Sequence, residues 1–299
     1  MKFRSGYVAV VGRPNVGKST LLNQILGQKV VITSDKPQTT RNRILCVYSD
    51  DESQILFFDT PGMHKPRDEM NRYMVQEAQA ALEEADHVLM VTEYSPDLEI
   101  GAGDRFLLEL IRQTGNPFWV VLNKVDLGKR EDVQILGLKW KTLLGETLLY
   151  PAAAELGIGV QDLLTDLKAV LPEGPAYFED DRLTDKSERF VVGEIIREKV
   201  FHLLKQEIPY STAVLVEEMK DRGKDNKLFI KAVIYIEKNS QKGILIGKQG
   251  ATLKSIGQMA REDIQRLLNC EVYLDLWVKV QPHWRKDVKF IQRLGTPEL

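Results

Sequence analysis

The chain has 299 residues, 43% of them hydrophobic and 28% charged, which is the balance of an ordinary globular protein and excludes fibrous, disordered and disulfide-stapled classes. Its two cysteines, Cys46 and Cys270, lie in apolar, strand-like runs, so no disulfide framework and a reducing compartment are expected. The net charge of -2 hides an asymmetry: residues 1–180 carry 19 Lys and Arg against 26 Asp and Glu, residues 181–299 carry 22 against 17, and the basic back half suits a polyanionic partner.

In chain order, strands are expected at 7–11, 44–48, 54–58, 87–92, 118–122 and 148–151, alternating with helices near 18–27, 69–84, 103–114, 131–144 and 160–170. The first apolar run turns at once, so no signal peptide is expected, and no run of about 18 apolar residues could span a bilayer. Such alternation implies an α/β domain with a mixed, mostly parallel sheet and ligands at the carboxyl ends of its strands. The pattern breaks at LPEGPAYFEDDRLTDKSERF, residues 171–190, where prolines and an acidic cluster read as a linker. The expected division is a first domain over 1–172, a linker over 173–187 and a smaller α+β domain over 188–299. In the latter, a helix at 188–204 precedes strands at 212–219 and 227–237, a helix at 249–268, a strand at 271–281 and a final basic helix at 283–293. The last strand alternates cleanly: Val272, Leu274, Leu276, Val278 and Val280 face one way, and Tyr273, Asp275, Trp277 and Lys279 the other. Packing of Tyr273 and Trp277 against the final helix is preferred over stacking on a base.

GRPNVGKS, Gly12 to Ser19, fits G-x-x-x-x-G-K-[ST] between a strand and a helix. Backbone N–H groups of Gly12, Arg13, Pro14's neighbours Asn15 and Val16, Gly17 and Thr20 would wrap phosphates at a helix N-terminus, with Lys18 reaching the β/γ-phosphates and Ser19 facing Mg²⁺. The stretch DTPG follows the third strand. Asp59 can approach Mg²⁺ there, Thr60 and Pro61 shape the turn, and Gly62 frees an N–H near the γ-phosphate. Thr40, in the polar loop DKPQTTRNR, could join the metal only while a γ-phosphate is present, which makes a switch. Lys18, Thr40 and Gly62 are the candidate catalytic residues, and Ser19, Thr40 and Asp59 the candidate metal ligands. NKVD, Asn123 to Asp126, identifies guanine: the Asp126 carboxylate accepts from N1–H and the 2-amino group, Asn123 meets the acceptor edge, and Lys124 lies along the ring beside Val125.

GRPNVGKS, QTTR, DTPG and NKVD in this order resemble the signature of the translation-factor-related GTPases, and GRPNVGKSTLLN is similar to their Era-like branch. The resemblance implies that PAAAELG supplies the fifth element, with Ala153 where a serine is usual and the Ala154 N–H on the base. Met63 sits where Ras-type enzymes carry a water-orienting glutamine, and a thioether cannot position water. Three readings stand: a binder without activity, a slow GTPase working by positioning and electrostatics, or one completed by a partner or by K⁺ at Asn15. The second and third combine into a slow GTPase timer; His64 is read as a bystander.

In the back half, Gly247-Lys248-Gln249-Gly250 is a G-x-x-G, expected between an apolar strand end and a helix, with Lys242 and Lys254 nearby. Residues 242–293 hold 10 basic against 5 acidic side chains. In KH domains this loop clamps about four nucleotides, and bases would lie against Ile244 and Ile246. The element order resembles a type II KH domain, and the resemblance to the Era-like branch covers nearly the whole chain. It implies GTP and GDP as ligands, binding of small-subunit (16S) ribosomal RNA, a role in 30S assembly coupled to growth and division, and a cytoplasmic monomer. The rivals are a GTP-regulated scaffold whose second domain binds protein, and a regulator held at the inner face of the cell membrane.

Overall fold

The parallel strands of the first unit are continuous apolar runs because both faces of their sheet are covered by helices. Val8, Ala9, Val10 and Val11 of β1 (Arg4–Gly12) are wholly buried, as are Ile55, Leu56 and Phe57 of β3 (Ser53–Asp59). In this computed structural model, which describes residues 2–34, 36, 39–63, 69–179, 182–221 and 227–295, the sheet has the order β2-β3-β1-β4-β5-β6. The remaining strands are β2 (Ile44–Ser49), β4 (His87–Glu93), β5 (Phe118–Asn123) and β6 (Leu149–Pro151). Only β2, paired with β3, is antiparallel. Helices α1 (Lys18–Leu26), α2 (Glu69–Glu84), α3 (Ala102–Thr114), α4 (Arg130–Leu144) and α5 (Val160–Val170) are the connections, close to their expected positions. The mixed, mostly parallel sheet agrees with the expectation.

Two compact units divide the chain: Met1–Pro66 with Arg72–Asp185, and Arg67–Asn71 with Lys186–Leu299. Much of the segment read as a linker is therefore bound along the first unit. The buried amide of Gln54 donates to Phe178 O at 2.9 Å and accepts from Tyr177 N at 2.7 Å. Val47 N donates to Leu183 O at 2.9 Å, and Leu45 N to the Asp185 carboxylate at 3.1 Å, so the outer edge of β2 is covered rather than left open. Prolines and acidic residues do not reveal this, because apart from the Asp185 carboxylate the segment makes these contacts with its backbone.

The second unit contains α6 (Glu188–Leu203), β7 (Ala213–Asp221), β8 (Lys227–Ile236), α7 (Asn239–Ile246), α8 (Ala251–Leu268), β9 (Glu271–Val280) and α9 (Val288–Gly295). Its sheet runs β7-β8-β9, with β7 antiparallel to β8 and β9 parallel to it. Ile196 and Val200 of α6 and Ile256, Ala260 and Ile264 of α8 share a core with Ile230, Ala232 and Ile234 of β8 and Val272 and Val278 of β9. The alternation of β9 holds: Tyr273 and Trp277 point to the opposite face and are each 54% exposed.

Two expectations are corrected here. The apolar run before Gly247, read as a strand end, instead belongs to the helix α7. The Gln241 side chain caps it by accepting from Glu237 N at 3.1 Å and Lys238 N at 3.0 Å, a cue that the apolar run masks. Nor, in the ring contacts of the described residues, does the final helix meet Tyr273 or Trp277. Tyr273 stacks on Phe229 and the Trp277 indole donates to Asp275, whereas Phe290 of α9 packs on Tyr235 and Trp284. Trp284 is wholly buried, its indole donating to Ser211 O at 2.8 Å.

Candidate nucleotide site and nucleic-acid groove

Gly12 ends β1 so close to β4 that a Cβ there would stand 2.3 Å from Val91 O. The loop that follows turns through Asn15 (φ 68°) and Gly17 (φ 95°) before α1 begins at Lys18, which aims backbone N–H groups and the helix N-terminus into one hollow. The Lys18 ammonium is nearly buried and donates to Gly12 O at 3.2 Å and Arg13 O at 3.1 Å. Burial pushes its pKa down to about 8 against the opposing pull of Asp59, so an anion in the hollow would meet a cation short of countercharge.

The three candidate metal ligands come from three different elements and meet. Ser19 Oγ donates to Asp59 Oδ2 at 2.9 Å, Thr40 Oγ1 to the same oxygen at 3.1 Å, and the two hydroxyls are 3.1 Å apart. Three hard oxygens, one of them anionic, fit Mg²⁺, which takes hydroxyls and carboxylates beside phosphate oxygens. The DTPG loop closes over the same hollow: Thr60 donates to Val10 O at 2.7 Å, and a Cβ at Gly62 would lie 2.7 Å from Pro14 Cα. The Met63 N–H donates to Gly12 O at 3.2 Å while its side chain packs on the apolar core, so the thioether is structural. Val16 is wholly buried and offers only its backbone to the hollow. His64, and Asp35, Pro37 and Gln38 of the polar loop, lie outside the described residues.

NKVD follows β5, with Lys124 held at φ 59° and Val125–Leu127 forming a short 3-10 turn. Asp126 is exposed and takes part in no hydrogen bond or ion pair among the described residues. Lys124 Nζ donates to Asn15 O at 2.7 Å and to Glu93 at 2.6 Å, which stretches its alkyl stem across the site. The Asn123 side chain donates to Val16 O and accepts from Ala154 N, each at 2.9 Å, so it ties together the three loops that surround the expected base position. Ala153 is likewise buried, its N–H donating to Ile158 O at 3.0 Å.

Sequence reasoning missed Glu93 and Asp104. Arg13 Nε donates to Asp104 at 2.9 Å, and its Nη2 lies 3.7 Å from Glu93. Burial raises the Asp104 carboxyl above its usual range while Arg13 holds it down. Arg13 therefore braces the loop against α3. An acidic residue in the first turn of α3 is too common a feature to have signalled this.

In the second unit, G-x-x-G joins α7 to α8. Gly247 (φ 75°) has no room for a side chain, since a Cβ would stand 2.2 Å from Thr252 Oγ1; Gln249 and Gly250 also adopt positive φ. Lys248, Gln249 and Lys254 are exposed and Lys242 half-buried. Beside the loop, between α8 and β9, lies a groove of about 470 Å³. Leu253, Gly257, Leu274 and Leu276 give it an apolar lining, and Lys254, Gln258, Arg261 and Tyr273 a polar and cationic one, with Gly250 at the loop end. Ile244 and Ile246, expected against the bases, are not among the residues lining this groove. Ile244 projects from α7, 54% exposed, and Ile246 packs on the core. The groove residues recur on α8 at 250, 253–254, 257–258 and 261, a helical stripe with a glycine in its middle; that spacing was the available signal.

A parallel sheet presenting a P-loop, a DTPG turn and a guanine reader at its strand ends, followed by a G-x-x-G unit, defines a P-loop GTPase joined to a KH domain. The chain matches the 50S ribosome-binding GTPase family over residues 7–124 and the KH domain over residues 207–285. It is 46% identical to the GTPase Era of Carboxydothermus hydrogenoformans over 298 residues, covering 100% of this chain and 99% of that one. It is also 46% identical to the GTPase Era of Alkaliphilus metalliredigens, over 99% of each. Era in complex with MgGDPNP and nucleotides 1506–1542 of 16S ribosomal RNA superposes with a TM-score of 0.94 at 39% identity, over 98% of this chain and 99% of that one. An Era variant of Aquifex aeolicus bound to GDP·AlF4⁻ gives 0.92 at 38% identity over the same shares. The chain belongs to the Era family of GTPases. It is a GTP-hydrolysing enzyme, which removes the reading of an inactive binder.

Proposed function

We propose that this protein is a GTP-driven timer of 30S subunit assembly that grips small-subunit ribosomal RNA through the groove beside Gly247–Gly250. The observation that carries the reading is the presence, in one chain, of a complete guanine-nucleotide hollow and an apolar groove with cationic edges. A relative of 0.94 TM-score bound to both MgGDPNP and 16S RNA supports it. The working division is a nucleotide domain over 1–172 and an RNA domain over 188–299, acting as a cytoplasmic monomer.

In this reading Lys18 and the backbone N–H groups of the Gly12–Gly17 loop hold the β/γ-phosphates and oppose the charge that builds during transfer. Ser19, Thr40 and Asp59 hold Mg²⁺, which would neutralise phosphate charge. The Gly62 N–H meets the γ-phosphate, and Asp126 reads guanine. With no glutamine at position 63, positioning and electrostatics carry the rate, consistent with a slow turnover. A K⁺ ion beside Asn15 is the finer form of this proposal; turnover several-fold faster in K⁺ than in Na⁺ is its expected mark, and equal rates remove it.

Thr40 and Gly62 rearrange when the γ-phosphate leaves, and the RNA domain responds. An RNA fragment from the 3′ end of the small-subunit RNA is expected to bind about tenfold more tightly with a GTP analogue than with GDP, a coupling of ~1.4 kcal/mol. Its affinity should fall steeply with added salt, since phosphate contacts release counterions. Equal affinities in the two nucleotide states would remove the timer, and a flat salt dependence would favour a protein-binding scaffold. A membrane role gains no support from α9, since its Ile291 is buried and Phe290 is packed on Tyr235 and Trp284. Among the described residues no helix is long and apolar enough to cross a bilayer.

A further inference from the structure

Thr40, Arg41 and Asn42 are nine-tenths buried although they are polar and belong to no regular element. Buried polar groups need partners, and the groups that follow Thr40 find theirs on one helix. Asn42 Oδ1 accepts from the Tyr73 hydroxyl at 3.1 Å, and Arg43 N donates to Glu77 Oε2 at 3.1 Å. The Arg43 guanidinium lies 2.8 Å from Glu84 and stacks 4.7 Å over the Phe58 ring, at the end of the strand that carries Asp59. Tyr73, Glu77 and Glu84 are spaced by four and seven residues, so they form one stripe along α2. Burial and the Glu77 charge push the Tyr73 hydroxyl well above its ordinary pKa, which keeps it a donor.

We infer that Tyr73 and Glu77 are positioning residues for GTP hydrolysis: they hold Asn42 and Arg43, and through two or three residues of chain they place the Thr40 hydroxyl beside Asp59. The segment between Thr40 and Arg43 is at most about 11 Å long when extended, too short to absorb a displacement of α2 without moving Thr40. Nothing in the four signature motifs includes these side chains. The inference rests on the metal-site reading of Thr40 given above.

The test measures the Mg²⁺ concentration giving half-maximal GTP turnover, together with GDP affinity, in the full chain. Tyr73→Phe, which removes one hydroxyl and keeps the ring, should raise that concentration about fivefold, the effect of one net hydrogen bond. Glu77→Ala should raise it about tenfold, and Glu77→Gln, whose amide oxygen still accepts from Arg43 N, should restore most of the loss. GDP affinity should stay within twofold in all three, because the loop of Thr40 is displaced while the phosphate hollow is intact. If Thr40→Ala raises the Mg²⁺ requirement but Tyr73→Phe and Glu77→Ala do not, the anchoring role is wrong. If GDP affinity falls in step with turnover, the two residues merely stabilise the unit and the inference also fails. If Thr40→Ala itself changes nothing, the metal-site reading is lost, and this inference with it.

Discussion

Asp126→Asn should lower GTP affinity by at least about a hundredfold and give the protein a preference for xanthosine triphosphate. Guanine presents N1–H and a 2-amino group, and a carboxylate can accept from both. Charge-assisted hydrogen bonds of this kind contribute about 1.5–3 kcal/mol each, so losing the match costs roughly 3–6 kcal/mol. The geometry supports a carboxylate waiting for such a partner. Asp126 is exposed in the turn after Lys124, and Lys124 is held rigidly by Asn15 O at 2.7 Å and Glu93 at 2.6 Å. An asparagine there accepts from N1–H and donates to the 2-oxo group of xanthine, which exchanges the preference rather than abolishing binding. Competition titrations with GTP, XTP and ATP read the change directly. Unaltered GTP affinity would mean that another group reads the base.

Gly257→Leu should reduce RNA affinity about a hundredfold and leave both GTP turnover and thermal stability intact. Gly257 lies in the interior of α8 on the stripe that faces the groove, and a Cβ there would come within 3.3 Å of the flexible Leu276 Cδ1. Replacing a glycine inside a helix gains up to ~1 kcal/mol of helix propensity, so the RNA domain has no reason to unfold. The added side chain instead occupies part of the roughly 470 Å³ into which bases would insert. Gly247 is the poorer site for this experiment. Its φ of 75° and the 2.2 Å approach to Thr252 mean that any side chain there distorts the loop itself. An RNA that bound Gly257→Leu as tightly as the parent protein would have to lie somewhere other than this groove. The two substitutions are independent in outcome, since one should weaken guanine reading with RNA binding retained when an XTP analogue is supplied, and the other should weaken RNA binding with guanine reading retained.

The nucleotide site was legible because its motifs are short, contiguous and made largely of backbone. A loop that must wrap phosphates needs glycine at particular steps, and a lysine and serine must follow at a set spacing; no distant residue can substitute. The metal ligands were legible for a related reason, as Ser19 belongs to the contiguous phosphate-loop motif and Asp59 ends a strand whose apolar run marks it. Misreadings began where a side chain's role depends on a neighbour from elsewhere in the chain. Asn123 suits a base edge by chemistry, and nothing in its spacing shows that its amide also bonds Val16 O and Ala154 N. Residues 239–246 suit a strand by composition, but Gln241 caps a helix there and Leu245 packs in its core.

Local pattern, then, determined the class of fold, the order of elements, the identity of the nucleotide and the presence of a loop able to clamp a nucleic-acid backbone. These follow from periodicity, glycine placement and hydrogen-bonding chemistry within a few residues. Tertiary structure alone decided that residues 183–185 cover the edge of β2, that Glu93 and Asp104 brace the phosphate loop, that α2 anchors the segment after Thr40, and that the groove lies between α8 and β9. Each of these joins residues apart in the chain through a few hydrogen bonds, ion pairs or apolar contacts. Such contacts leave no periodic trace, because each is fixed by how the elements pack and not by the spacing of the residues that make it.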